Sequence, residues 1–207
     1  LTADPILSPT AQNVVPVLGM HRSGTSLVTR LLDLLGMELG WPLLSPYADN
    51  PKGFWEHKLF LHVNRQILSK LGVDGSGFGD IEKLEEIANK SNEIDLGPDI
   101  MHLIEHKLSQ GFMSPVWGFK DPRTALLWPM WHNVLCNIGY RNFQPVVVVR
   151  EPSAVVQSIV KRGDFGGLKN ASPEQLEVHI ERTWQVYYQA ILRSNVSAMN
   201  PVVVCQE

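Results

Sequence analysis

Between the apolar run Val14-Val-Pro-Val-Leu18 and a leucine-rich stretch that starts at Thr25 lies Gly19-Met-His-Arg-Ser-Gly-Thr-Ser26. No other segment limits the fold so strongly. The short apolar run reads as a strand. After Thr25 the period changes: Leu27, Val28, Leu31, Leu32, Leu34 and Leu35 fit a buried helix that ends at Gly36. A strand, a glycine-bearing turn and a helix in that order aim the first N–H groups of the helix at one spot, and the helix dipole makes that spot positive. Arg22 adds a full charge and a fork of donors from the turn itself. A plain strand-to-helix turn needs neither Arg22 nor so many hydroxyls.

The spacing Gly19, four residues, Gly24, Thr25, Ser26 is the frame of a phosphate-binding P-loop, with Thr25 where that loop carries lysine. Enzymes that hydrolyse nucleoside triphosphates on this frame use the lysine, and an Asp at a strand end to hold magnesium. Here the apolar strand Val146–Val149 ends in Arg150. The pattern suits an anion site with no obligatory metal. Arg150 falls at the carboxyl edge of the expected sheet, where such folds bind ligands. Ser158, eight residues on, lies about two turns into the next helix on the side facing the strand end. Together they are placed to clamp one phosphate, a charge-assisted contact plus a hydroxyl.

Strand and helix patterns alternate along the rest of the chain. Residues 41–58, rich in Pro, Gly and Trp, read as a long loop, and 58–71 as a helix. The four glycines between Gly72 and Asp80 predict an exposed, mobile loop. Residues 81–91, 98–110, 124–138 and 152–162 have helical patterns, and 173–194 a long helix opened by Ser172-Pro173. Strands are expected at 116–119, 144–149 and 202–204. The alternation implies one α/β domain over 1–207 with three layers around a short parallel sheet, related to P-loop kinases. Residues 41–115 would form an acceptor-side insertion within it, and the abrupt close at Val202-Val-Val204 suggests that a C-terminal part of the domain lies beyond residue 207.

Composition removes some functions. A formal net charge of −3 over 207 residues does not fit a footprint along nucleic acid, while a local anion pocket remains compatible. No apolar run has the length of a membrane span. Two cysteines, Cys136 and Cys205, read as reduced, partly buried thiols, which suits a cytoplasmic location.

Three segments taken together resemble the sulfotransferases that use 3′-phosphoadenosine-5′-phosphosulfate (PAPS). Arg22-Ser-Gly-Thr-Ser26 resembles their 5′-phosphosulfate loop, and Val147-Val-Val-Arg150 with Ser158 their 3′-phosphate motif. Lys120-Asp-Pro-Arg123 resembles an element of tyrosylprotein sulfotransferases and of bacterial sulfotransferase-like proteins. The three occur in family order and span residues 19 to 158. Two family features are missing. No histidine near Lys120 matches the base of the cytosolic enzymes. The adenine-contacting Gly-x-x-Gly-x-x-Lys element is not in its usual position; Gly163-Asp-Phe-Gly-Gly-Leu-Lys169 imitates it too soon after Arg150 and reads as a mobile loop near the nucleotide.

The resemblance implies transfer of a sulfuryl group from PAPS to a hydroxyl or amine by in-line displacement, with no metal required. It implies that Arg22, Ser23, Gly24, Thr25, Ser26, Arg150 and Ser158 bind the nucleotide, and that Arg22 and Lys120 offset charge at the reacting group. Glu56, in Asn50-Pro-Lys-Gly-Phe-Trp-Glu56, is the first candidate for the base, with Phe54 and Trp55 expected to raise its pKa. A second reading makes Glu56 only the cap of the helix at 58–71. Asp121 and His57 are the reserve bases, and Asp121 could instead hold Arg123. The acceptor stays open among carbohydrate, peptide, lipid and small alcohol. Two other readings use the same loop: a nucleotide kinase or triphosphatase, and a binding module without catalysis.

Some patterns mislead. His102-Leu-Ile-Glu-His106 matches an inverted zinc-peptidase motif, but no third ligand is evident and a solvated helix face is the simpler reading. Asn170-Ala-Ser172 and Asn195-Val-Ser197 fit a glycosylation pattern that arises readily by chance. Trp117, Trp128 and Trp131 are expected in the core.

Overall fold

The structure, a computed structural model, describes residues 7–47, 50, 52–110, 112–163 and 171–206. Five strands, β1 (Asn13–Leu18), β2 (Val116–Lys120), β3 (Asn142–Phe143), β4 (Val146–Arg150) and β5 (Val202–Gln206), form one sheet in the order β2-β1-β4-β5. The short β3 pairs with the start of β1, and every pairing is parallel. The chain leaves β1 for β2 on one side and returns to β4 on the other. The strand order therefore reverses between β1 and β4, and a crevice opens at their carboxyl ends.

Side chains of β1 and β4 alternate between two apolar clusters, as the pleat requires. Val14, Leu18 and Val147 join Trp117 and Phe119 of β2 in the larger cluster. Val15, Val17, Val146 and Val148 face the smaller one. The helices are α1 (Thr25–Leu34), α2 (Lys58–Lys70), α3 (Ile81–Lys90), α4 (Gly97–Ser109), α5 (Thr124–Ile138), α6 (Pro152–Arg162) and α7 (Pro173–Arg193). Helices α2 to α7 contribute to the larger cluster, while α1 supplies Val28 and the half-buried Leu32 to the smaller. The sheet is thus thickly covered on one face and, among the described residues, by one helix on the other. The three expected tryptophans are fully buried, and Trp131 Nε1 donates to Asn64 Oδ1 at 2.7 Å.

Helix boundaries agree with the sequence pattern to within about two residues. Ser172 caps α7 through a reciprocal pair with Gln175. Two expectations need correction. Helix α1 is not buried all round: Leu27, Leu31, Leu34 and Leu35 are exposed, Leu35 at 83%. Leucines at 27, 31 and 34–35 form a second stripe beside Val28 and Leu32, and periodicity cannot say whether a second stripe has a partner. The segment 72–80 is docked rather than exposed. Val73 and Phe78 are buried, Tyr187 Oη donates to the Gly77 carbonyl at 3.0 Å, and Arg123 Nε donates to the Gly75 carbonyl at 2.6 Å. Gly77, at φ +84°, lies so close to the Tyr187 hydroxyl that a Cβ would collide with it, so this glycine serves close approach, not looseness. The two-residue β3 was hidden by its length. The imitation element Gly163–Lys169 falls, beyond Gly163, outside the described residues.

Candidate functional site

The loop after β1 is held in an unusual backbone path. Arg22 has φ +65° and Gly24 φ +89°; the former costs about 1–2 kcal/mol for a residue with a Cβ. Among the described residues three non-glycines have positive φ, and two of them, Arg22 and Trp55, line this site. Such strain persists where surrounding structure enforces it, often at functional sites. The enforcement is visible. Tyr188 of α7 donates to the Val148 carbonyl at 2.7 Å and lies 3.0 Å from Ser23 Oγ. Ser23 is fully buried, and its N–H donates to the Met20 carbonyl. Its role is to tie the loop to α7 and β4; it lines neither of the clefts described next. A Cβ at Gly19 would strike the Val148 carbonyl, so glycine lets the loop leave β1 beside β4.

Gly24 opens α1, and the first N–H groups of that helix have no carbonyl ahead of them. They face a cleft of about 600 Å³ lined by Arg22, Gly24, Thr25, Ser26, Lys52 and Arg150 among others. Arg22 Nε donates to Ser158 Oγ at 2.9 Å, and Arg150 donates from a terminal nitrogen to the Arg22 carbonyl at 3.2 Å. Arg150 and Ser158, expected to clamp one phosphate together, each contact Arg22, Arg150 at its carbonyl and Ser158 at its guanidinium, and Ser158 is not among the residues that line the two clefts. Among the described residues the buried Arg150 Nε atom has no hydrogen-bond partner, and a buried donor left unsatisfied costs about 1–3 kcal/mol. Gln206 of β5 closes the far wall, its amide seated on Gly24.

A second cleft, of about 410 Å³, shares Arg22, Thr25, Ser26 and Asn50 with the first. Glu56 and Lys120 line the second cleft beside the shared Ser26. Lys120 Nζ lies 2.7 Å from Glu56 Oε1 and donates to Ser26 Oγ at 3.2 Å; Ser26 Oγ donates to the Phe54 carbonyl at 3.2 Å. Lys120 is 1% exposed and Glu56 6%. Lys120 is therefore no surface lysine: it ends strand β2 and reaches the first turn of α1.

Glu56 does not cap α2. That task falls to His57, whose Nδ1 accepts from Leu59 N at 3.1 Å. Burial lowers the His57 pKa, in keeping with a neutral acceptor. Nor are the aromatic rings what meets the Glu56 carboxylate. Phe54 faces Tyr47 and lies under Arg162, Trp55 lies under Arg30, and the partner of Glu56 is an ammonium. Asp121 is fully buried. Its oxygens accept from the Arg123 guanidinium at 3.0 Å and from the Arg123 N–H at 2.9 Å. It lines neither cleft and holds the turn that starts α5.

His21 was passed over in the sequence, where it is only a residue between two glycines. It lines the second cleft between the rings of Phe78 and Tyr187. Burial, and then the charges of Arg123, Lys120 and Arg162, push its pKa well below the usual 6.5. Tyr188, Gln206, Arg65 and Arg162 were missed too, because each reaches the site from a distant element with no local pattern.

His102 and His106 are exposed on α4, and among the described residues no group of three or more His, Cys, Asp or Glu is arranged to hold a metal. Cys136 and Cys205 are free, the latter exposed rather than partly buried. Asn195 Oδ1 accepts from Trp128 Nε1 at 2.9 Å. Among the described residues no helix is long and apolar enough to cross a membrane.

No family model matches the chain, and no curated protein matches it. Among solved structures, the sulfotransferase domain of the Synechococcus PCC 7002 olefin synthase superposes with a TM-score of 0.49 at 18% identity, over 98% of this chain and 69% of that one. A likeness of that depth says nothing about activity, which has to come from the residues of the clefts.

Proposed function

We propose that the chain is a sulfotransferase that takes a sulfuryl group from PAPS and passes it to an acceptor hydroxyl or amine. The observation that carries this reading is the meeting of two clefts at Arg22, Thr25 and Ser26, with an anion cradle on one side and the Glu56–Lys120 pair on the other. Thr25 in place of the P-loop lysine and Arg150 in place of a strand-end Asp both argue against triphosphate hydrolysis. The α1 N-terminus and Arg22 would hold the 5′-phosphosulfate, and Arg150 with Ser158 the 3′-phosphate.

In the reaction the acceptor oxygen forms a bond to sulfur as the bond from sulfur to the bridging oxygen of the 5′-phosphate breaks. The acceptor proton goes to the Glu56 carboxylate, and the electron pair of the broken bond leaves on the nucleotide phosphate. Arg22 and the Lys120 ammonium offset the charge that grows there, a preorganised arrangement that needs no rearrangement during transfer. Ser26, bonded to Lys120, fixes that ammonium between base and leaving group. Positioning does most of the work.

The test is binding of 3′,5′-bisphosphoadenosine, the product nucleotide, against its analogue without the 3′-phosphate. The bisphosphate should bind at least ten-fold more tightly and raise the melting temperature. Stabilisation by ATP with magnesium and none by the bisphosphate would sink the proposal.

A further inference from the structure

The segment 72–80 walls the second cleft through Ser76 and Phe78. Helices fix both its ends: the Gly72 N–H donates to the Ser69 carbonyl of α2, and Asp80 caps α3. Between those ends the segment is lightly held. Val73 and Phe78 are buried, Tyr187 and Arg123 donate to the carbonyls of Gly77 and Gly75, and bonds from Ser76 N to Asp74 and from Phe78 N to Ser76 lie within the segment itself.

Among the described residues four buried side-chain polar atoms have no hydrogen-bond partner, and two of them are imidazole Nε2 atoms, those of His21 and His179. Both rings meet this one segment. His21, in the loop after β1, has the Phe78 ring 5.3 Å from its own, and its Nε2 lies 3.6 Å from where a Cβ on Gly77 would stand. The Ser76 backbone also approaches it. His179, about two turns before Tyr187 on α7, meets the backbone of Gly79.

Neither ring is placed to carry a charge. Cations face His21 from three elements: Arg123 at the start of α5, Lys120 on β2 and Arg162 on α6. Arg22 and Arg65 line the same cleft. The carboxylates beside these cations are engaged, Asp121 by Arg123 and Glu56 by Lys120. Tyr187 of α7, edge-on to His21, is kept neutral by burial. At His179, Arg182 disfavours a proton and Asp80 favours one, while Asp80 also accepts from Lys83 N. Burial is the first cause of a lowered pKa at both rings, against the pull of the Ser76 and Gly79 backbones. A protonated imidazole has two N–H donors, and each needs an acceptor or water. Lifting the segment would bring water to both Nε2 atoms.

We propose that residues 72–80 form a strap latched over the second cleft by two neutral imidazoles, and that mild acid releases the strap by protonating His21 and His179. The closed form is favoured above pH 6.5 and loses that advantage as pH falls, because only the closed form resists the protons. His21, whose pKa lies well below 6.5, should shift the opening equilibrium about ten-fold between pH 7.5 and 5.5, and His179 by less. Such a latch acts whatever the cleft binds, so its failure would leave the sulfuryl-transfer reading standing.

The experiment is amide exchange in heavy water at pH 7.5 and 5.5, expressed as protection relative to an unstructured chain so that the intrinsic pH dependence drops out. Residues 73–79 should be less protected than α5 at both pH values, showing that the strap opens without unfolding the chain. Their protection should fall ten-fold or more on going to pH 5.5. In the double variant His21→Gln with His179→Gln the fall should shrink to less than about two-fold. Strap and α5 exchanging at one rate, or an equal fall in the double variant, would overturn the proposal. NMR titration of the unsubstituted chain tests it without any variant: both rings should take up protons below pH 6.5, over the range in which the strap loses protection. Titration of either ring at or above 6.5 would overturn it as well.

Discussion

The two clefts are made in different ways. The donor side is built mostly from strand ends and a helix start, namely the loop from β1 to α1, the first turns of α1 and the ends of β4 and β5, with Asn50, Lys52, Gly53 and Trp55 as its loop wall. Its strained residue is locked by Tyr188 and by contact with β4. The acceptor side takes Leu44, Tyr47, Asn50, Phe54, Glu56, Ser76 and Phe78 from loops, with Arg65, Lys120 and Arg162 reaching in from regular elements. A nucleotide is the same in every turnover, so rigid backbone can be shaped to it. Acceptor recognition rests on side chains from loops, which change without disturbing the sheet. The difference teaches where specificity and where chemistry should reside. Lys120 is the bridge, on a strand by backbone and at the acceptor by charge.

The largest effect expected is at the bridge. Glu56→Gln should lower sulfuryl transfer about 10²- to 10⁴-fold while nucleotide affinity holds within about two-fold. It also strands the buried Lys120 charge, at a cost on the order of 3–5 kcal/mol in stability. The double variant Glu56→Gln with Lys120→Met should recover much of that stability, read by calorimetric melting, without recovering transfer. Recovery of transfer would show that Glu56 is structural and that the two sides are less distinct than drawn.

On the donor side, Arg150→Ala should weaken 3′,5′-bisphosphoadenosine binding about 10- to 100-fold, the loss of charge-assisted bonds worth roughly 1.5–3 kcal/mol. Protection of residues 73–79 against exchange in the nucleotide-free chain should be unchanged. An equal loss on both sides would break the comparison.

Acid should loosen the acceptor side first. His21 and His57 both have pKa values lowered from 6.5, mainly by burial. The unfolded chain then binds more protons than the folded one, so their contribution is present above pH 6.5 and lost as pH falls below it. Melting between pH 7.5 and 5.5 should show a loss of roughly 1 kcal/mol for each, and His21→Gln should flatten the slope. A flat profile in the unsubstituted chain would contradict the burial of these rings.

The smallest effect is expected of Tyr188→Phe, about 1 kcal/mol of stability, with a modest fall in nucleotide affinity as the loop loses its tie. Protection of residues 73–79 in the nucleotide-free chain should not change.

The donor half was legible because its information is local. A strand, a glycine turn and a helix are contiguous, and the spacing of Arg150 and Ser158 within one strand and helix put both at the crevice. The contact of Ser158 with Arg22, 136 residues away, has no local pattern and appears only in the fold. The acceptor half was legible at Glu56 and Lys120, each on its own. They lie 64 residues apart, and no pattern near either one announces the pair. The glycines at 72–80 misled because a glycine that permits close packing looks like one that permits motion. The leucines of α1 misled because a period identifies a stripe and not what covers it.

Gln206, whose amide rests on Gly24, has a consequence for the edge of the sheet. It belongs to β5, which pairs with β4 and carries exposed valines at 202 and 203. On the proposed reading, a nucleotide in the donor cleft would lie against that amide. Strand β5 is then placed to sense whether the cleft is filled. Its backbone amides should exchange with heavy water at one rate in the empty protein and at another in the loaded one, so that β5 acts as a gauge of occupancy at a distance from the chemistry.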